Sequence, residues 1–258
     1  MPGDLGGLVN PDAVPTKLAS GLGAVDGPVF SRLGYLLFSD TEMRQILKWE
    51  DGKVSVFRKS TPAISLTFDH QGRLLACEGE RVTRTEKNGK VTVLADQLKG
   101  TRDLIYAIDG SIYFSAAGPG APAIYQITRR GEVRVVSRDC GPSTSVTLAP
   151  NQQRLYAGDT ASQKIYVFDI ADDGALRGGR VFAQAAIRGL KTDEAGNLWA
   201  AEGHAIGVYD ASGSRRGEIP LPEDPSNLAW GDGFRNLYIT AQTSIYRIET
   251  RANGTRTY

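Results

Sequence analysis

Apolar and polar residues alternate along this chain in a segment of roughly 40 residues that recurs six times. Each copy opens with a run rich in Val, Ile and Leu, turns through Gly, Asp or Asn, and returns as a second β-branched and aromatic run. The copies are DGPVFSRLGYLLFSD at 26–40, ISLTFDHQGRLLACE at 64–78, RDLIYAIDGSIYFSA at 102–116, TSVTLAPNQQRLYAGD at 144–159, RGLKTDEAGNLWAAE at 188–202 and SNLAWGDGFRNLYITA at 226–241. Their starts lie 38 to 44 residues apart.

A third apolar run follows the first two in most copies, as in QILKWE, RVTRTE and SIYRIE, and a fourth follows a glycine turn, as in DGKVSVFRK and NGKVTVLAD. Helical periodicity is absent throughout. Four strands in a repeat of this length are typical of propeller blades, which bury both faces against their neighbours. We therefore predict an all-β, six-bladed β-propeller with four antiparallel strands per blade.

The sixth copy ends near YRIETRANG without a fourth strand of its own. The segment PTKLASGL at 15–22 can supply that strand from the N-terminus and close the ring. This predicts a single propeller domain over 15–250, with a loose N-terminal segment at 1–14 and a C-terminal tail at 251–258.

The net charge of +1 argues against nucleic acid as the main partner, because such a partner requires a concentrated basic patch. No apolar run approaches the length of a membrane span, and the N-terminus lacks the pattern of a secretory leader. Without such a leader, Cys77 and Cys140 are expected to be free thiols. We expect a cytoplasmic monomer that binds neither nucleic acid nor membrane.

In a propeller, the innermost strand of each blade lines the central channel. The residues that start the repeats should therefore surround one end of it, with Asp103 and Asn227 one position further on; they are Asp26, Ile64, Arg102, Thr144, Arg188 and Ser226. The ends of the second strands should lie near the same end and carry Asp40, Glu78, Ala116, Asp159 and Glu202, with His204 close behind.

The phrases DGPVFSRLGYLLFSDTEMRQILKW, DGSIYF and NLYITAQTSIYRI resemble the senescence-marker-protein/gluconolactonase family, also called regucalcin-like. The resemblance extends over residues 15–250. It implies a six-bladed propeller, lactonase or related ester-hydrolase activity, and one divalent cation in the channel.

The same resemblance identifies the positions at which the family holds its cation, and this chain departs from the pattern at each of them. The family's first-blade Glu falls on Asp26, its fourth-blade Asn on Thr144 and its fifth-blade Asp on Arg188. The third-blade Asn falls on Arg102, beside the retained Asp103, and the Asp that ends the second strand of that blade falls on Ala116. The scaffold is kept while the ligand set is not.

An arginine at a ligand position opposes a cation strongly. Two unit charges 4 Å apart interact by about 4 kcal/mol at an effective dielectric constant of about 20. Exchanging an anionic ligand for a cation beside a divalent ion therefore changes the energy by up to ~16 kcal/mol. A micromolar ion binds with only about 8 kcal/mol. We expect no metal ligands and no cofactor.

The arginines instead favour a small anion, because guanidiniums bind carboxylates and phosphates through paired hydrogen bonds. We predict a metal-independent enzyme in which Asp26, Arg102, Arg188 and His204 are catalytic, acting by hydrolysis, elimination, isomerisation or cyclisation. The predicted substrate-binding residues are Thr144, Asp103, Glu78, Ser226, Asn227 and Ile64.

Three alternatives stay open at this point. Asp26 and Arg188 can form an ion pair that plugs the channel, since buried charges require pairing. A conventional metal-dependent lactonase can rebuild its ligands from Asp26, Asp103 and nearby acids. The propeller can also bind a small molecule without acting on it, because function is not fixed by fold.

Overall fold

The computed structural model describes residues 5–118 and 121–256, and there the chain forms six four-stranded antiparallel sheets. The strands in chain order are β1 (Thr16–Ala19), β2 (Val25–Phe30), β3 (Leu36–Asp40), β4 (Gln45–Glu50), β5 (Lys53–Arg58), β6 (Ala63–Phe68), β7 (Leu74–Glu78), β8 (Arg81–Thr85), β9 (Val91–Ala95), β10 (Thr101–Tyr106), β11 (Ile112–Ala116), β12 (Ala123–Ile127), β13 (Val133–Ser137), β14 (Ser143–Leu148), β15 (Arg154–Asp159), β16 (Lys164–Ile170), β17 (Leu176–Gln184), β18 (Ile187–Thr192), β19 (Leu198–Glu202), β20 (Ala205–Tyr209), β21 (Arg215–Pro220), β22 (Pro225–Gly231), β23 (Asn236–Ala241) and β24 (Ser244–Glu249). The described part of the chain contains no helix that is long and apolar enough to cross a membrane.

Each sheet is one blade, and the predicted six-bladed propeller is confirmed. Blade 1 has the strand order β2-β3-β4-β5, and blades 2 to 5 repeat that order from β6, β10, β14 and β18. The first strand of every blade contacts the first strand of the next, and β22 contacts β2. These six innermost strands therefore form a closed ring around a channel.

Burial falls from the inside of each blade to the outside. The second strands, such as β3 and β11, are buried along their whole length, whereas the outer strands β9 and β13 alternate between exposed and partly buried residues. Both faces of an inner strand pack against neighbouring blades, which explains its nearly continuous apolar sequence. An outer strand has one solvated face, so the period-two pattern appears there.

The hydrophobic core lies between the blades. One cluster joins Cys77 of blade 2 to Phe114 and Tyr125 of blade 3. Another joins blades 5 and 6, where the indole rings of Trp199 and Trp230 meet edge to face with centroids 5.1 Å apart. Burying one large apolar side chain contributes roughly 1.5–3 kcal/mol. Because these side chains are buried only when both blades are present, no blade has a complete core of its own.

The ring is closed by the N-terminal strand, as the sequence predicts. β1 pairs with β24 and becomes the fourth strand of blade 6, with Thr16 opposite Arg247. The Lys17 ammonium lies 2.9 Å from the Glu223 carboxylate, which also accepts a hydrogen bond of 2.6 Å from the Tyr246 hydroxyl.

Residues on both sides of the propeller, in the segments expected to be loose, make contacts with it. Val9 is buried in the core cluster of blades 5 and 6 and bridges Thr250. At the other end, Gly254 bridges Asp193, and the Thr255 N–H donates a hydrogen bond of 3.1 Å to the Thr192 carbonyl. Apolar burial and backbone pairing thus order much of both segments.

Gly27, at the start of β2, sits where blades 1 and 2 meet. It has a left-handed φ of 52°, and a Cβ added there would lie 2.5 Å from the Ser65 Cα and overlap the Ile64 carbonyl. Only glycine fits such a close approach of two backbones.

We expect Gly27→Ala to destabilise the protein more than Gly34→Ala. Gly34 also has a left-handed φ, of 89°, but a Cβ there meets nothing within 4 Å. The control should lose about 1–2 kcal/mol from backbone strain alone, whereas Gly27→Ala should lose a further ~1–3 kcal/mol through overpacking. Denaturant unfolding measures both, and equal losses would contradict the assigned backbone contact.

Candidate functional site

The first residues of the innermost strands surround a cavity of about 280 Å³ at one end of the channel, which we call the mouth. Its lining residues are Asp26, Ile64, Arg102, Thr160, Arg188, Ser226 and Asn227. The repeat pattern placed all of these except Thr160 at this end of the channel, and their roles remain predictions. Thr160 comes from the turn after β15, and its hydroxyl donates a hydrogen bond of 2.7 Å to the Ile187 carbonyl. Nothing in the repeat pattern singles out that turn.

Both arginines at the mouth are exposed to solvent. Among residues 5–118 and 121–256, neither Arg102 nor Arg188 forms an ion pair. The plug formed by an Asp26–Arg188 ion pair, one of the alternatives from the sequence, is therefore not found. The guanidiniums remain available to a ligand.

Asp26 is the carboxylate of the mouth. Burial raises its pKa to about 6, against the opposing effect of a 2.6 Å hydrogen bond from the Gly27 N–H and another from the Asn227 side chain. Asp103 raises the pKa further and Arg102 lowers it. Asp26 can therefore take up and release a proton close to neutral pH.

Asp103 lies beneath the mouth, in a buried hydrogen-bonded layer. Its carboxylate accepts hydrogen bonds from the Ser65 hydroxyl, from the Ser145 hydroxyl at 2.7 Å, and from the N–H groups of Val146 at 2.9 Å and Leu104 at 3.0 Å. The Ser145 hydroxyl oxygen in turn accepts the Leu190 N–H at 2.9 Å. Asp103 is 1% exposed, so this layer fully occupies it and it does not reach the mouth. Its role in substrate binding stays a prediction, and the structure gives it a place in this buried layer.

Lys191, a third cation, lies further down the channel, and sequence reasoning missed it. It belongs to β18 and lines a second cavity of about 20 Å³ together with Ile105 and Thr147 from two other innermost strands. Burial lowers the pKa of its ammonium, while Asp103 and then Asp26 oppose that effect. A lysine three positions after Arg188, on a strand already assigned to the channel, was the available signal.

The sequence profile described as SMP-30/Gluconolactonase/LRE-like region matches residues 25–243, which span all six blades. The chain belongs to this family. The match includes the strands that build the mouth, so the family resemblance covers the candidate site as well as the fold.

Members of the SMP-30/gluconolactonase family share both sequence and structure with this chain. A gluconolactonase of Zymomonas mobilis is 25% identical over 92% of this chain and 81% of that protein. The structure of a gluconolactonase from Xanthomonas campestris superposes with a TM-score of 0.86 and 26% identity over 97% of each chain. A calcium-binding regucalcin from Agrobacterium tumefaciens shares the fold, with a TM-score of 0.85 and 17% identity over 95% of this chain and 96% of the other.

The donor groups at the mouth do not fit the divalent cation that the family resemblance implies. Calcium and magnesium require several oxygen ligands, usually with carboxylates among them. Asp103 already accepts four hydrogen bonds, which leaves Asp26 as the carboxylate that faces the cavity. Arg102 and Arg188 line the same cavity and repel a cation.

Two further predicted site residues do not line the mouth. His204 has a side chain that is 83% exposed and contacts the partly buried Asp224, so the structure places His204 at the surface and outside the mouth. Glu78 is buried and pairs with Arg58 between blades 1 and 2, which accounts for its charge. The side chain of Thr144 lies outside the described residues, and its role stays a prediction.

The other acids at the ends of second strands also serve the fold. Asp40 accepts the N–H groups of Gly23 at 3.3 Å and Met43 at 3.0 Å. Asp159 accepts the Ala161 N–H at 2.9 Å, and Glu202 accepts the Tyr209 hydroxyl at 2.7 Å. These acids stabilise the turns and sheets that surround the mouth.

Replacing Asp103 should test the buried layer. Asp103→Asn keeps the shape of the side chain but presents an N–H₂ to hydroxyl and N–H donors. We expect the free energy of unfolding to fall by roughly 1–3 kcal/mol for each buried group left without a hydrogen bond. The surface variant Asp210→Asn, which affects only a hairpin turn, should lose less in the same denaturant titration. Equal losses would mean that Asp103 carries no special structural role.

Asp26 should make stability depend on pH. Its pKa rises from the ordinary 3.8 to about 6 on folding, because the folded protein disfavours the ionised carboxylate. The free energy of unfolding is therefore highest below about pH 4 and falls as the pH rises through 6. The loss amounts to about 3 kcal/mol, and Asp26→Asn should abolish it. Thermal unfolding of both proteins between pH 4 and 8 measures the difference.

Asp173 provides a control of opposite sign. Its exposed carboxylate has a pKa lowered first by the Ala175 N–H, so any stabilisation it gives is present above its ordinary value and is lost as the pH falls. Asp173→Asn should leave the decline between pH 4 and 6 in place. A decline that survives in Asp26→Asn would show that another group causes it.

Proposed function

We propose that the mouth binds a small anionic lactone or ester and hydrolyses it without a metal ion. The observation that carries the proposal is that two exposed, unpaired guanidiniums and one partly buried carboxylate line the same cavity. Membership of a lactonase-like family supports ring-opening hydrolysis over the other reactions that acid–base chemistry permits. The substrate itself follows from the charge of the cavity.

Asp26 acts as the general base in this proposal. With its pKa at about 6, it is mainly ionised at neutral pH and accepts a proton from water as the water adds to the carbonyl carbon. The same carboxyl group then returns the proton to the ring oxygen as the carbon–oxygen bond breaks. The Gly27 N–H and the Asn227 side chain hold the carboxylate in place.

The guanidiniums stabilise negative charge on the substrate and on the oxyanion of the intermediate. Preorganised donors of this kind act most strongly on charge that develops during the reaction. Ser226 cannot readily replace them as a donor, because its hydroxyl contacts the Val25 carbonyl at 2.7 Å and the Thr240 hydroxyl at 2.8 Å.

The first experiment combines elemental analysis of the purified protein with a lactone-hydrolysis screen in the presence and absence of a chelator. We expect no stoichiometric metal and turnover that resists the chelator. The rate should rise with pH through about 6 as Asp26 ionises, and Asp26→Asn should lose that rise together with most activity, by roughly 100- to 10,000-fold.

Arg188→Gln should lose activity, whereas Arg32→Gln should keep it, because Arg32 is an exposed residue in the turn between β2 and β3. Stoichiometric metal with chelator-sensitive turnover would replace this proposal with a conventional metal-dependent lactonase. Tight binding of anions with no turnover of any lactone would favour a non-catalytic binding protein.

A further inference from the structure

The charged side chains of the mouth come from alternate blades. Asp26 is on blade 1, Arg102 on blade 3 and Arg188 on blade 5, whereas blades 2 and 6 present Ile64 and Ser226. Since blades repeat radially, the three charged side chains start from points roughly 120° apart around the channel. The two arginines therefore approach the cavity from different sides and do not form one patch.

Several arginines elsewhere in the chain are compensated by an ion pair, and those of the mouth are not. Arg58, Arg73, Arg84 and Arg215 each form an ion pair with a glutamate or aspartate. In the described part of the chain, Arg102 and Arg188 form none. Two guanidiniums on different sides of a small cavity can each hold a separate acid group.

The charge beneath the mouth does not cancel that of the arginines. Below the cavity, the negative charge of Asp103 and the positive charge of Lys191 compensate each other. At the mouth itself, two guanidiniums face the single carboxylate of Asp26. The lining of the mouth therefore has more positive charge than the Asp26 carboxylate neutralises, which favours an anionic ligand.

Arg102 also acts electrostatically on Asp26. The Arg102 guanidinium lowers the pKa of Asp26, and both arginines line the same cavity as that carboxylate. In the arrangement that follows, a carbonyl group attacked beside Asp26 develops its charge next to Arg102. A substituent at the far end of the same molecule would reach Arg188.

We propose that the substrate is a lactone that already carries one carboxylate, and that its product is a hydroxy-dicarboxylate held by both arginines. This inference rests on the proposed function and specifies its substrate class. Water adds to the lactone carbonyl, the bond between that carbon and the ring oxygen breaks, and the ring oxygen leaves as a hydroxyl group. The new carboxylic acid ionises beside Arg102, while Arg188 holds the original carboxylate throughout.

These different roles predict different kinetic effects for substitutions of the two arginines. Arg102 interacts with charge that is absent from the substrate and present in the transition state, so it acts on kcat. Arg188 interacts with the same carboxylate before and during the reaction, so it acts on KM. A merely structural role would give no such split.

The test compares the hydrolysis of glucarolactone, which carries a carboxylate, with that of gluconolactone, which is neutral. The wild-type protein should favour glucarolactone by roughly 10- to 100-fold in kcat/KM, as expected for one charge-assisted contact. Arg188→Gln should raise the KM for glucarolactone by a similar factor and affect the hydrolysis of gluconolactone much less. Arg102→Gln should lower kcat for both lactones, and Arg32→Gln should change neither.

Binding of product-like acids provides a readout independent of turnover. Calorimetry with glutarate and butyrate should show tighter binding of the dicarboxylate, and either Arg102→Gln or Arg188→Gln should remove that advantage. Equal affinity for the two acids, or for inorganic phosphate and glutarate, would overturn the assignment of two separate acid sites.

The outcomes also separate this inference from the proposed function. Metal-free hydrolysis with equal rates on both lactones would overturn the substrate class and leave the reaction standing. Arginine-dependent binding of glutarate with no hydrolysis of either lactone would support recognition of a dicarboxylate and overturn the reaction. An effect of Arg188→Gln on gluconolactone as large as that on glucarolactone would overturn the split between the two arginines.

Discussion

The hydrogen bonds of a single buried carboxylate hold the centre of this propeller together. Asp103, on blade 3, accepts donors from Ser65 of blade 2 and Ser145 of blade 4, and Ser145 accepts the N–H of Leu190 on blade 5. Four of the six innermost strands are thereby linked through one network. A buried network of this kind fixes geometry when all of its members are satisfied and is costly when they are not. The positions of the residues above it depend on that layer.

This layer and the close packing between blades fix the positions of the residues that line the mouth. Asn227, which supports Asp26, has room because Gly189 lacks a Cβ, and a Cβ there would lie 2.5 Å from the Asn227 Oδ1. Lys191 supplies positive charge from below, opposite Asp103 and Asp26. Much of the electrostatic character of the site is therefore set by groups that no ligand at the mouth contacts.

The repeat pattern predicted the blades, the closing strand and the residues around the mouth, because each follows from period and position. QILKWE and SIYRIE, for example, coincide with β4 and β24. The pattern could not predict which acids are already occupied. Glu78 and Asp103 look like free carboxylates in the sequence, and only tertiary structure brings Arg58, Ser65 and Ser145 to them.

The packed C-terminal tail narrows the channel at the end away from the mouth. Thr255 and Arg256 complete the lining of the small cavity around Lys191, at the end opposite the mouth, and the space left there is about 20 Å³. That volume accommodates roughly one water molecule. This cavity therefore has no room for an organic molecule, and a ligand bound at the mouth would leave on the side from which it entered.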